Sequence, residues 1–160
     1  MARQAFSAPG TPPPAGPYSP AVRIGSIIAG SGQVGITPAG EVLDGVVAQT
    51  RQAFTNLLAH LASAGAGAQD VISVRVFLTE VEHFAAMNEV YREFFTEPYP
   101  ARSTIYVGLP PGLLVEIGEN VPRYSSGAWG FMSQVSMCEA PPLSQIMIVD
   151  LAVRRGTGAA

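Results

Sequence analysis

Lysine is absent from this chain of 160 residues, because all nine basic residues are arginines. This absence excludes reactions that need a lysine, such as a Schiff base on the protein, an internal aldimine to pyridoxal phosphate, or the phosphate contact of a P-loop. Histidine is almost as scarce, with only His60 and His83, and Cys138 is the single cysteine. We therefore expect no metal site, no intrachain disulfide and no Ser-His-Asp triad.

The sequence also lacks a membrane-length apolar run, a secretory leader and an excess of positive charge. Residues 1–20 are rich in proline, alanine and glycine but contain no apolar core of a signal peptide. The net charge of −3 disfavours binding to nucleic acid. With 48% apolar and 13% charged residues, the composition is that of one globular domain. We expect a cytoplasmic protein that binds neither membranes nor nucleic acid.

The spacing of apolar residues predicts the element order β-β-α-β-α-β-β after an irregular lead-in over residues 1–15. Strands are predicted over residues 22–29, 32–36, 71–78, 103–109 and 113–117. The first helix is expected to begin after Asp44 and Gly45 and to stop at Gly65. A capping box over residues 79–82 predicts the start of the second helix, which ends before Pro98.

Such an order predicts an α+β fold, in which two helices pack on one face of a mixed β-sheet. A single sheet of this size leaves its other face without cover. Burying that face requires a partner, and we therefore expect a homo-oligomer.

Two charged residues in the middle of the chain are the main candidates for chemistry. Arg102 follows a Pro-Tyr-Pro turn, and Glu116 lies inside an apolar strand pattern, where a carboxylate is costly unless it is paired or functional. A planar guanidinium suits bidentate binding of a substrate carboxylate, and a glutamate can position or activate a water. The residues alone leave two plain alternatives open: a solvated arginine at a strand end and a structural carboxylate on an edge strand.

Weaker candidates lie at other points of the chain. Asn88 falls on the apolar stripe of the second helix, where a buried amide must be hydrogen-bonded. Tyr18 follows a Gly-Pro turn, and Ser31 and Gly32 lie at a break between two strand runs, where a backbone N–H and a hydroxyl can approach a small anion. The two histidines are predicted to be surface residues of helices.

The ordered set of motifs resembles the Rid family, the reactive-intermediate deaminases also called YjgF-like proteins. The resemblance covers roughly residues 8–117. It rests on Gly16-Pro17-Tyr18-Ser19, Ser31-Gly32-Gln33, Gln49-Thr50, Asn56-Leu57, Phe84 with Met87-Asn88 and Val90-Tyr91, Phe94-Phe95, Pro100-Ala101-Arg102-Ser103 and Val115-Glu116-Ile117.

The resemblance implies a chorismate-mutase-like fold and a homotrimer with three clefts between subunits. It also implies cofactor-independent hydrolysis of enamine or imine acids, such as 2-aminoacrylate, to 2-keto acids and ammonia. By position, Arg102 is similar to the carboxylate-binding arginine of the family and Glu116 to its water-positioning glutamate. The residues similar to the family's pocket are Tyr18, Ser31, Gly32, Asn88 and Thr104.

The chain departs from the family pattern after residue 117. Residues 118–145 are interpreted as an atypical insertion or extension, and residues 146–160 as a possible terminal strand with a polar tail. If residues 146–153 supplied the last strand, Asp150 would compete with Glu116 for the carboxylate role; the spacing from Arg102 favours Glu116. The extension leaves two other functions open: action on a larger imine in a specialised biosynthetic pathway, or non-catalytic binding of a metabolite or partner by a trimer.

Overall fold

The computed structural model describes residues 2–122, which contain seven strands, two α-helices and one 3₁₀ turn over Ala68–Asp70. The strands are β1 (Gln4–Phe6), β2 (Ala21–Ile24), β3 (Ile27–Gly30), β4 (Gln33–Val34), β5 (Ser73–Leu78), β6 (Ala101–Tyr106) and β7 (Val115–Pro122). The helices are α1 (Val46–Ser63) and α2 (His83–Phe94). Neither helix is long and apolar enough to cross a membrane.

All seven strands belong to one mixed sheet with the order β1-β2-β3-β7-β5-β6, and β4 also pairs with β7. Only β5 and β6 are parallel, and α2 forms the crossover between them. Every other pairing is antiparallel. The register places Val74 of β5 opposite both Arg102 of β6 and Glu119 of β7. It places Phe77 of β5 opposite Glu116 of β7.

Both helices cover the same face of the sheet, which we call the helix side. Alternate residues point to opposite faces of a strand, and the buried side chains of β5 and β7 all lie on this face. They pack with apolar residues of the two helices in one core. The largest fully buried apolar side chains are Phe54, Ile28, Leu57, Leu61, Leu78, Met87 and Ile117. This arrangement confirms the predicted α+β fold with two helices on one face.

An aromatic cluster joins the two helices. The ring of Phe54 on α1 meets those of Tyr91 and Phe94 on α2, and that of Phe95 just beyond it, with ring centroids 5.0 to 5.6 Å apart. Aromatic pairs at this spacing add stabilisation beyond their buried area. The cluster therefore fixes Tyr91, whose ring also borders the candidate site described below.

The opposite face of the sheet, which we call the open side, is not covered by any element within residues 2–122. Three large apolar side chains are exposed there: Ile24 (49%), Ile27 (60%) and Ile105 (40%). Ile24 and Ile27 are cross-strand neighbours on β2 and β3, whereas Ile105 lies on the edge strand β6. Single exposed apolar residues are ordinary, but neighbouring ones on an uncovered face indicate an interaction surface. The predicted homo-oligomer would cover it.

Several sequence-based expectations about local structure are wrong. The run over residues 22–29 forms the two strands β2 and β3, which turn at Gly25 with φ of 57°. The lead-in contains β1, which pairs with β2. The capping box over residues 79–82 does not form, because α2 begins only at His83 and no side chain caps it.

The strands around the candidate site also differ from their predicted bounds. β6 begins at Ala101, before its predicted start, and β7 continues through Gly118, where a break was expected, to Pro122. The proposed alternative last strand and Asp150 lie outside the described residues, as does most of the predicted extension. The division of the chain at residue 117 stays a prediction.

Candidate active site

Arg102 lies on β6, at the edge of the sheet, and its side chain points to the helix side. Its guanidinium carbon is 4.7 Å from the ring centroid of Tyr91 and 5.7 Å from that of Phe84. Its Nη1 is 4.0 Å from the sulfur of Met87. Contacts of a guanidinium with aromatic faces are worth about 0.5–2 kcal/mol each. Two aromatic rings and a thioether thus hold this cation without neutralising it.

The charge of Arg102 has no carboxylate partner within the described part of the chain. The ion pairs found there join Arg51 to Glu93 and Arg92 to Glu89. An unpaired arginine that is only partly exposed is well suited to binding an anionic ligand. This observation favours the predicted role of Arg102 over that of a solvated surface residue.

Arg102 borders a cavity of about 360 Å³ between α2 and the loop that precedes β6. Its lining residues are Asn88, Tyr91, Arg92, Tyr99, Pro100 and Arg102. Asn88 therefore lies beside the arginine, and its side chain is half-buried. Thr104 is two residues from Arg102 on the same face of β6 and is also half-buried.

Tyr91 contributes its ring rather than its hydroxyl to this cavity. The phenol oxygen is buried and has no hydrogen-bond partner within residues 2–122. Burial raises the pKa of the Tyr91 phenol, and the positive charge of Arg102 offsets part of that increase. Tyr91 therefore stays neutral and serves as an apolar wall of the cavity.

Glu116 lies on β7 and points to the open side, because it is opposite Val34 of β4 and Phe77 of β5. Its carboxylate rests against Gly32, where any Cβ atom would collide with Oε1 and the carboxyl carbon. An alanine at position 32 would therefore push the carboxylate away. Gly32 and Glu116 are thus in direct contact, which the missing side chain at position 32 makes possible.

Ser31 and Tyr18 belong to the loop network next to Gly32. The Ser31 hydroxyl donates to the carbonyl of Ser19 at 2.7 Å, and the Ser31 amide donates to the carbonyl of Pro20 at 2.9 Å. The Tyr18 hydroxyl accepts a hydrogen bond from the amide of Ala15 at 3.1 Å, and the Tyr18 side chain is 47% exposed. Both donors of Ser31 are occupied, so in this arrangement neither is free for an anion.

The predicted site residues therefore form two groups in one protomer. Arg102, Asn88 and Thr104 lie on the helix side near β6. Glu116 and its neighbour Gly32, with the adjoining loop, lie beyond β5 at β7. β6 and β7 lie on either side of β5, so their axes are about 10 Å apart. The side chains of Arg102 and Glu116 point to opposite faces of the sheet. The structure does not bring Arg102 and Glu116 together within a single chain.

His60 is buried, with 2% exposure, and the prediction that it is a surface residue is wrong. Its Nδ1 accepts a hydrogen bond from the amide of Ala8 at 3.1 Å. Burial lowers the pKa of His60, which favours the neutral ring. His60 also lines a second cavity of about 90 Å³ that reaches Tyr18 and Gly32. It ties the proline-rich N-terminal segment to α1.

Glu119 is a buried acid that the sequence analysis did not identify as special. It is 1% exposed on the helix side of β7, and neither carboxylate oxygen has a hydrogen-bond partner within residues 2–122. Burial raises the pKa of Glu119 to about 7, although the nearby backbone of Gly30 and the charge of Arg75 offset part of the effect. The alternation of β7 contained the signal, because Glu119 shares its face with Val115 and Ile117.

Phe84, Tyr91 and Tyr99 also surround Arg102, although the sequence provides no reason to place them there. The helical spacing of Phe84 and Tyr91 indicates only that they share one face of α2. Within residues 2–122, no group of three or more histidine, cysteine, aspartate or glutamate side chains could hold a metal ion.

Two helices on one side of a mixed sheet define an α+β protein, and its edge strand carries an arginine that borders a small cavity and has no ion-pair partner within residues 2–122. Comparison with known proteins identifies the family. Residues 9–120 match the family described as Endoribonuclease L-PSP. The chain belongs to this family, which is also known as the YjgF or Rid family.

Individual relatives agree with this assignment. A 2-iminobutanoate/2-iminopropanoate deaminase of Dermatophagoides farinae is 41% identical over 118 residues, which cover 72% of this chain and 92% of that protein. A RutC family protein of Pyrococcus abyssi is 41% identical over 120 residues, covering 73% of this chain and 94% of the relative. The crystal structure of RidA from an Antarctic Psychrobacter superimposes on this chain with a TM-score of 0.72. The two sequences are 38% identical, and the match covers 74% of this chain and 98% of that protein's chain.

Proposed function

We propose that this protein is a deaminase that hydrolyses reactive 2-imino acids, such as the imine tautomer of 2-aminoacrylate, to 2-keto acids and ammonia. The observation that supports this most directly is the guanidinium of Arg102, held beside two aromatic rings in a cavity and unpaired within residues 2–122. Relatives about 40% identical are named 2-iminobutanoate/2-iminopropanoate deaminases.

Arg102 binds the substrate carboxylate in this proposal. The guanidinium presents parallel N–H donors that match the two oxygens of a carboxylate. Because the rings of Tyr91 and Phe84 fix the guanidinium, the imine carbon attached to that carboxylate is held in one place. Positioning of this kind supplies much of the rate acceleration for an imine that is already electrophilic.

Glu116 positions the water in this proposal. The water adds to the imine carbon and one of its protons passes through the carboxylate to the nitrogen, which gives a carbinolamine. The remaining hydroxyl proton then passes to the nitrogen by the same route, the C–N bond breaks, and ammonia leaves while the oxygen stays as the keto group. Gly32 is needed because a larger residue there would displace the carboxylate. Tyr18, Ser31, Asn88 and Thr104 shape the remainder of the pocket. The mechanism uses no cofactor.

A complete site requires more than one chain, because Arg102 and Glu116 lie on opposite faces of the sheet. We propose that the protein forms a homotrimer in which Arg102 of one subunit faces Glu116 of a neighbour across a cleft. The exposed isoleucines of the open side support this assembly, since a partner would remove them from water.

Ammonia and pyruvate release from freshly generated 2-aminoacrylate tests the activity. Wild type should accelerate release well above the rate in buffer. Arg102→Ala and Glu116→Gln should each lose most of this acceleration while keeping the circular dichroism spectrum of wild type. If wild type does not accelerate release although it is folded and oligomeric, the deaminase proposal is wrong, and a binding function or a larger imine becomes the better hypothesis.

Mixing the two inactive variants tests the shared site. Co-refolded Arg102→Ala and Glu116→Gln chains should recover about one quarter of the wild-type activity, because random assembly places two intact residues at one cleft in about one of four cases. No recovery in mixed oligomers would show that both residues act from the same chain.

A further inference from the structure

The cavity around Arg102 contains a second guanidinium, that of Arg92, which the proposed reaction does not use. Both arginines line the same cavity, and Asn88, one helical turn before Arg92 on α2, lines it as well. Arg92 is one residue after Tyr91, the ring that contacts Arg102. We infer that this site selects imino acids with a second carboxylate, which Arg92 binds while Arg102 holds the first. The inference rests on the proposed deaminase function.

The charge of the cavity is the first argument. Its lining contains two arginines and no acidic residue, although the whole chain has a net charge of −3. A concentration of positive charge within an acidic protein raises the local concentration of anions. A doubly charged ligand gains more from this field than a singly charged one.

The size of the cavity is the second argument. In one protomer, before a neighbouring subunit closes the proposed cleft, the cavity has a volume of about 360 Å³, which is within the range of sites that bind drug-sized ligands. A three-carbon imino acid has only six non-hydrogen atoms and would fill a small part of it. An acid with four or five carbons and a carboxylate at each end could extend from Arg102 toward Arg92.

The present partner of Arg92 does not prevent this role. Arg92 Nη1 is 2.7 Å from Glu89 Oε1, but the two side chains are 56% and 77% exposed. Exposed ion pairs of this kind contribute little to stability. A ligand carboxylate inside the cavity can therefore replace Glu89 at low cost, and Glu89 acts as a weak competitor for Arg92.

The test compares two imines generated in place by an amino acid oxidase, one from a monocarboxylic amino acid and one from glutamate. The measured quantity is the ratio of kcat/KM for the dicarboxylic imine to that for the monocarboxylic imine. Arg92→Ala should lower this ratio about tenfold, and Glu89→Gln should raise it about twofold. Both effects should shrink at high salt, because the interaction is partly exposed.

Arg51→Ala is the matched control. Arg51 also forms an exposed ion pair with a glutamate, through Glu93 Oε2 at 2.8 Å, but it does not line the cavity. The substitution removes the same charge from the chain. The selectivity ratio should therefore stay at the wild-type value, whereas a general effect of net charge would lower it as much as Arg92→Ala does.

Binding of the stable products separates this inference from the proposed function. Calorimetric titration with 2-oxobutanoate and 2-oxoglutarate measures selectivity without turnover. A preference for 2-oxoglutarate that Arg92→Ala abolishes supports the inference even if no imine is hydrolysed. Deamination of both imines with a ratio that Arg92→Ala leaves unchanged overturns it while the deaminase function stands. Equal binding of the two keto acids, or binding of neither, also overturns it.

Discussion

The buried carboxyl of Glu119 should make the stability of this protein fall as the pH rises from about 4.5 to about 7. In the unfolded chain this group ionises near its usual pKa of 4.5, whereas burial raises the folded value to about 7. Between these values the unfolded state releases a proton that the folded state retains, and the free energy of unfolding decreases. Above about pH 7 both states are ionised and the loss is complete.

The size of the effect follows from the two pKa values. A difference of one pH unit corresponds to about 1.36 kcal/mol, so a pKa raised from 4.5 to about 7 costs about 3 kcal/mol at pH 8. Such an amount is a large part of the stability of a typical domain. Glu119→Gln removes this ionisation, so the variant should not lose this stability as the pH rises. The free energy of unfolding of the variant minus that of wild type should therefore be about 3 kcal/mol larger at pH 8 than at pH 4.

Urea unfolding followed by circular dichroism from pH 4 to pH 8.5 measures this difference at a fixed protomer concentration. Other titrating groups cancel when the variant is subtracted from wild type at each pH. Glu41→Gln, which removes an exposed glutamate just after the turn over residues 37–40, serves as the control and should follow the wild-type profile. If the free energies of unfolding of wild type and Glu119→Gln differ by the same amount at pH 4 and at pH 8, the raised pKa of Glu119 does not contribute to stability as predicted.

Two further predictions concern buried polar side chains of α1. His60→Leu removes the acceptor for the Ala8 amide, so it should lower the free energy of unfolding by about 1 kcal/mol and increase hydrogen exchange at Ala8. His60→Asn can keep an acceptor near the position of Nδ1 and should protect that amide. Equal exchange at Ala8 in both variants would argue against the hydrogen bond between Ala8 and His60. Gln49→Leu removes the hydrogen bonds that Gln49 donates to the carbonyls of Leu43 and Gly112 and the one that it accepts from the amide of Leu114. Urea unfolding should show a free energy of unfolding lower by about 3 kcal/mol. A decrease of less than about 1 kcal/mol would show that water replaces the glutamine.

The parts of the fold with a clean period could be predicted from the sequence. The apolar spacing of α1 and the strict alternation of β5 gave both elements nearly at their observed bounds, because one face of each is buried and the other is not. β2 and β3 were merged into one strand because Ile24 and Ile27 are apolar although exposed. Gly25 indicates a turn between β2 and β3, but the apolar residues on both sides of it make the two strands look like one continuous strand in the sequence.

The candidate site could be predicted residue by residue but not as an arrangement. Glu116 was a candidate because a carboxylate inside an apolar strand pattern is costly unless it has a role, and Arg102 because it follows a Pro-Tyr-Pro turn. The roles of both residues stay predictions. The faces to which they point depend on strand register, which a single sequence does not specify. For the same reason the burial of Glu119 was missed, since a predicted break at Gly118 removed it from the strand. The surroundings of Arg102 come from α2, which is brought there only by tertiary packing.

The contact between Gly32 and Glu116 links two positions that are 84 residues apart in the chain. A mutation that adds a side chain at position 32 would displace the carboxylate, and a later shortening to aspartate at position 116 would be needed to make room. In the proposed site either change alone would displace or shorten the carboxylate that positions the water, so natural selection has no favourable first step. We therefore expect positions 32 and 116 either to stay unchanged or to covary among relatives.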